Sequence, residues 1–118
     1  MAQWSRVKKY GGSGAKFPQV ASAATVSLPE NQSIFGITGT TGITTFSSSM
    51  RILPGRVVTL TSTDGTGAAL TDTAASTAAS ANGTISLSAA FTVKLGSNIT
   101  LIQQNNGQWH EMARAVNG

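Results

Sequence analysis

What most limits the folding options of this chain is its punctuation. From Ala24 onward, short runs rich in Val, Ile, Thr and Phe are cut again and again by Gly, Asn or Pro. Such runs suit half-buried β-strands, where branched side chains pack on a pleated surface. Strands are predicted at residues 24–28, 33–37, 42–46, 56–61, 84–87, 92–94, 98–104 and 108–114. The run at 56–61 follows Pro54-Gly55, a turn dipeptide, and so has a defined start. "GITGTTGITT" at 36–45 repeats Gly-Ile-Thr, but two copies are too few for a solenoid and read as a glycine-relieved turn between strands. Residues 64–81 are rich in small side chains and read mainly as a long loop, with one short strand around 69–71.

The clearest local signal is "NITLIQQNNGQWHEMARAV". Asn106-Gly107 suits a type I′ hairpin turn, because both residues tolerate positive φ. Folding about that pair sets Gln104 opposite Trp109, Ile102 opposite Glu111 and Leu101 opposite Met112. Both faces of the hairpin then carry apolar side chains, and self-association would supply the missing cover. Leu60, Leu101, Ile102, Trp109 and Met112 are the residues expected to form the core of this hairpin and its contact with other copies. The expected fold is all-β: a compact antiparallel β-sandwich or barrel-like domain over residues 21–118, preceded by an extended basic arm over residues 1–20.

Charge is distributed very unevenly. Residues 1–20 hold Arg6, Lys8, Lys9 and Lys16 and no acid, whereas the remaining residues carry four positive and four negative side chains. The net charge of +4 therefore belongs entirely to the arm, and a basic end of this kind meets an anionic partner. Trp4, Tyr10 and Phe17 lie among these cations. They could stack on bases, but four charges give only modest salt-dependent affinity for nucleic acid, which is disfavoured as a partner. In a protein groove the same aromatics serve as apolar anchors, while the cations pair with acidic rims. Gly11-Gly12-Ser13-Gly14 lacks the lysine-threonine pair and following helix of a phosphate loop and reads as a hinge.

Catalytic groups are scarce. Glu30, Asp64, Asp72, Glu111 and a single histidine, His110, make up the inventory of carboxylates and imidazole. His110 and Glu111 are adjacent on a strand, point to opposite faces and form no simple acid/base pair. With no cysteine there are neither disulfides nor thiolate metal sites. "DGTGAALTD" lacks the dense carboxylates of a calcium loop. The chain is expected not to be an enzyme and to need no cofactor, metal or small-molecule substrate. No stretch reaches the roughly 18 apolar residues of a membrane span, and the start lacks the apolar core of a signal peptide, so synthesis and use in a cytoplasm are expected.

"LPGRVVTLTSTDG" and "LSAAFTVKLGSNITLIQQNNGQWHEMARAVN" together resemble terminal modules of bacteriophage virion proteins. There, a Pro-Gly-led Val-Thr-Leu strand precedes a short Phe-containing strand and a Thr-Leu hairpin with a Trp-x-Glu return. The likeness covers residues 53–117 and extends to both tail spike or fibre tips and small capsid-bound proteins. It implies a homotrimeric, non-enzymatic structural module. A chain with a short basic arm and no long shaft looks more like a capsid decoration, or cement, protein. The resemblance thus implies the major capsid protein and further copies of the chain as partners, and the outer surface of the virion head as location. Trp4, Arg6, Lys8, Lys9, Tyr10, Lys16 and Phe17 would be the capsid-contacting side chains. A receptor-binding tail tip is the alternative.

Overall fold

The structure is a computed structural model and describes residues 18–47, 52–62, 67–73 and 82–116. Ten strands run in chain order: β1 (Gln19–Ala21), β2 (Thr25–Ser27), β3 (Ile34–Thr38), β4 (Thr45–Ser47), β5 (Val57–Ser62), β6 (Ala68–Leu70), β7 (Ile85–Ser86), β8 (Phe91–Val93), β9 (Ser97–Gln103) and β10 (Trp109–Val116). No helix occurs among the described residues. The expected strands are therefore present, β6 included, and β1 is an addition. Gln19 and Val20, the last residues of the expected arm, belong to β1.

The pairing is not that of an antiparallel sandwich or barrel. The main sheet has six strands in the order β1-β3-β5-β9-β10-β7, and two small sheets pair β2 with β4 and β6 with β8. β1–β3, β3–β5, β2–β4 and β10–β7 are parallel. The first part of the chain thus winds in a solenoid-like way: each coil places one strand in the main sheet and the next on a second wall. The isolated parallel bridge between Ile43 and Leu70 carries β6 along the second wall. The coils are unequal in length. Gln19 pairs with Gly36, whereas Ile34 pairs with Thr59, so no fixed sequence period accompanies the winding. The first Gly-Ile-Thr copy belongs to β3, and the glycine-relieved turn expected between the strands follows it, with Gly39 at φ 84°.

β9 and β10 close the stack by pairing antiparallel with β5 and with each other. The turn is one residue displaced from the predicted one. Gly107 N–H donates to Gln104 O (3.0 Å) and Gln104 N–H to Gln108 O (2.8 Å), with Gly107 at φ 88°. This is a three-residue loop ending in a left-handed glycine. Trp109 consequently faces Gln103, His110 faces Ile102 and Glu111 faces Leu101; a bulge at Met112 then brings Ala113 opposite Thr100. A one-residue change of register exchanges the faces, and here it sorts them. Ser97, Ile99, Leu101, Gln103 and Trp109 are buried on one face. Ile99, Leu101 and Trp109 thus share the inner face, while Ile102 stays on the outer face with Thr100 and His110, so the hairpin keeps an apolar side chain on each face but most of its apolar bulk on one.

On the inner face of the main sheet, side chains form cross-strand rows. Phe35, Leu60 and Ile99 make one, Val58 and Leu101 another, and Gln103, Trp109 and Ile85 a third. Val26, Leu28, Ile43, Phe46, Leu70, Phe91 and Val93 join the apolar members of these rows in a single cluster. Trp109 is wholly buried and meets Phe46 edge-on, with ring centroids 6.1 Å apart and planes at 75°, a favourable aromatic geometry. Gln103 is buried but satisfied: Leu53 N–H donates to its Oε1 at 3.1 Å, and its Nε2 donates to Gly107 O at 3.3 Å.

Two glycines close the seam between the second wall and the hairpin. Gly83, at φ 85°, donates to Gly107 O and accepts from Phe46 N–H, both at 2.9 Å. A Cβ at Gly83 would collide with the Phe46 carbonyl, and one at Gly107 with the Asn82 side chain. The backbones meet here because neither residue has a side chain.

Candidate functional site: the hairpin tip and the clamps beside it

The sequence-predicted site residues fall into three groups. Trp4, Arg6, Lys8, Lys9, Tyr10, Lys16 and Phe17 lie outside the described residues. Leu60, Leu101 and Trp109 are fully buried and belong to the core of the domain, so they cannot touch another copy. Ile102 is half-buried on the outer face of the sheet, and Met112 is 55% exposed at the bulge.

At the hairpin tip, Gln104, Asn105, Asn106, Gln108 and His110 line an open cleft of about 360 Å³. Gln108 organises it. Its Nε2 donates to Thr84 Oγ1 (3.1 Å), its backbone N–H donates to Asn106 Oδ1 (3.1 Å), and its Oε1 lies 2.6 Å from His110 Nε2. Since Oε1 can only accept, the proton belongs on His110 Nε2, which leaves Nδ1 as an acceptor. The lining is amide and imidazole, with no carboxylate, ammonium or guanidinium. Such a set can donate to and accept from neutral polar groups. The amide density of "QQNNGQ" was the signal available in the sequence; without the turn geometry it does not show that these side chains converge.

The acid beside the histidine has a different environment, as the strand alternation required. Arg114 Nε donates to Glu111 Oε2 at 2.6 Å and Arg114 Nη2 to Oε1 at 2.8 Å. Ser88 adds its backbone N–H (2.9 Å) and hydroxyl (3.0 Å) to Oε1. The Arg114 hydrogen bonds, aided by those from Ser88, lower the Glu111 carboxyl from its ordinary 4.5 to about 2 against the opposing effect of burial. Arg114 is raised in turn, chiefly by Glu111. The guanidinium also donates to the Ala89 and Ala90 carbonyls at 2.8 and 3.1 Å and lies 5.1 Å from the Phe91 ring centroid. This is a clamp that ties β10 to the β7–β8 connection.

Arg56 forms a second clamp. Its guanidinium donates to the carbonyls of Pro29 (2.5 Å), Gln32 (3.1 Å) and Leu28 (3.5 Å) and lies 5.9 Å from the Trp109 ring centroid. Desolvation lowers its pKa, partly offset by Glu30. The β2–β3 connection is thereby fastened to the start of β5, beside Trp109 of the closing hairpin. Nothing local in the sequence announces this role, because its acceptors are carbonyls 24 to 28 residues away.

Among the described residues, no three His, Cys, Asp or Glu side chains come together as a metal-binding group, and no helix is long and apolar enough to cross a membrane. Compared with family models, curated proteins and solved structures, the chain matches none.

Proposed function

We propose that this chain is a bacteriophage structural protein, a capsid decoration protein that binds the outer surface of the head through its basic N-terminal segment and reinforces the shell as a homotrimer. The observation that carries this reading is the separation of charge from body. The whole net charge of +4 resides in residues 1–20, which lead directly into β1, the edge strand of the main sheet. An extended segment of about 20 residues reaches up to roughly 66 Å, enough to cross a subunit boundary. Each exposed ion pair contributes only about 0.2–1 kcal/mol, but several segments acting from one oligomer add by multivalency. The body serves as a cross-linked node that holds the segments together. It has no catalytic role in this proposal.

The test uses the full-length chain with Arg6→Glu, Lys8→Glu and Lys9→Glu. Mixed with heads of the phage that encodes the protein, this variant should fail to co-sediment while the unaltered chain saturates the particles. Equal occupancy of the two would sink the proposal. A second reading, a receptor-binding tail-tip module, is favoured by the uncharged cleft at the hairpin tip, whose amides suit neutral hydroxylated ligands. Binding to host cells with none to empty heads would select it. Retention of nucleic acid at near-physiological salt would instead mark a third reading, a small nucleic-acid-binding protein.

A further inference from the structure

The outer face of the main sheet carries its own pattern. Paired positions place Ile34, Thr59, Thr100 and Ala113 in one row, Val57, Ile102, His110 and Ser86 in the next, and Gln19, Gly36, Thr61, Asn98 and Ala115 in a third. None of these residues is Asp, Glu, Lys or Arg. The charged clamps, Arg56 and Glu111–Arg114, belong to the loops and the inner rows. A sheet face left to water ordinarily alternates with polar side chains outward. Here Ile34 (41% exposed) and Val57 (39% exposed) point outward beside Ile102. Between them, the Thr59 and Thr100 hydroxyls bond each other at 3.1 Å. Two polar groups are thus partnered within the face, and their methyls join the aliphatic patch.

We infer that this face packs against the same face of another copy of the chain, with Ile34, Val57 and Ile102 at the centre of the contact. The occupant follows from charge and shape. Nucleic acid or an acidic surface would meet no cation here, and a basic partner would meet no carboxylate. A second copy supplies an uncharged aliphatic-and-threonine surface by construction, with no ion to desolvate. Sheets stack face to face at about 10 Å. Six strands spaced about 4.8 Å apart and averaging about five residues at about 3.3 Å each give a face of roughly 29 by 17 Å, or about 1,000 Å² buried in total over two copies, the lower bound for a specific interface. The inference goes beyond the proposed function, since a two-fold contact through this face is separate from the three-copy assembly of that reading, and it can be tested with no capsid present.

Sedimentation equilibrium of the full-length chain at up to about 100 µM reads the outcome. The expected mass is twice the 12.0 kDa of the chain, because a face stacked on itself pairs two copies. Ile34→Lys and Val57→Lys should each raise the dissociation constant at least tenfold, while Leu95→Lys, at a 60%-exposed leucine of the β8–β9 turn, should leave it unchanged. A wild-type mass of 12.0 kDa at the highest concentration overturns the inference, as does equal association of the folded Lys variants. The absence of native cysteine permits a second measurement that adds no charge. A spin label at Thr100→Cys should show dipolar coupling between copies, and one at Thr92→Cys on the far sheet should not. Equal coupling from both positions, or from neither, refutes the face assignment. Failure here leaves head attachment standing, and loss of head attachment with an unchanged mass leaves this face standing.

Discussion

Replacing Glu111 by Gln isolates the ion-paired clamp between β10 and the β7–β8 connection. The carboxylate accepts two hydrogen bonds from Arg114 and two from Ser88, and its pKa falls from 4.5 to about 2. At 1.36 kcal/mol per pKa unit, that difference corresponds to roughly 3 kcal/mol of folding stability at neutral pH. The Arg114 side chain is 22% exposed, so screening reduces the figure, and about 1.5–3 kcal/mol is expected. The sign follows from linkage. A carboxyl with a depressed folded-state pKa stabilises the fold fully above the unfolded value near 4.5, and this contribution is lost as pH falls through about 2. Urea denaturation of wild type and Glu111→Gln at pH 7, 4.5, 3 and 2 measures both effects. The variant should be less stable by about 1.5–3 kcal/mol at pH 7, and the difference should shrink steadily between pH 4.5 and 2. A gap under about 0.5 kcal/mol at pH 7, or one independent of pH over that window, would refute the assignment of the clamp.

Gly83→Ala forces a side chain into a left-handed backbone position and against the Phe46 carbonyl; a loss of about 2 kcal/mol or more is expected from thermal and urea unfolding, and a neutral outcome would mean the seam is not closed as described. Trp109→Ala empties the site beside Phe46 and should cost about 3–5 kcal/mol; in a Trp4→Phe background, where Trp109 is the remaining indole, quenching of its fluorescence by soluble quenchers in the folded state would contradict its burial. Arg56→Lys keeps the charge but cannot fork to three carbonyls and should lower stability by about 1–2 kcal/mol, with amide exchange accelerating in residues 28–32; protection unchanged there would count against the strap.

The strand positions were legible because they depend on local chemistry: branched side chains between glycine and asparagine, as in Val57–Thr61 after Pro54-Gly55. Partners were another matter. β3 lies between β1 and β5, both parallel to it, and nothing in "IFGIT" distinguishes a parallel neighbour from an antiparallel one. Unequal coils also removed the period that would have exposed the winding. The hairpin shows how narrow the margin is. Asn106-Gly107 is compatible with two turns that differ by one residue. The buried amide of Gln103, bonded to Leu53 N–H and Gly107 O, accompanies the observed register, which also places Trp109 in the core and His110 outside.

By itself, then, the sequence determined that this protein is all-β, where most of its strands lie, that His110 and Glu111 act apart, and that its excess charge is confined to the first 20 residues. These are consequences of backbone propensity, side-chain alternation and arithmetic. Tertiary structure alone decided the parallel winding, the register of the closing hairpin, the convergence of five polar side chains at its tip and the uncharged outer face. Each of those depends on which distant segments share a sheet, and a β-strand carries its partner's identity only through the packing that both achieve together.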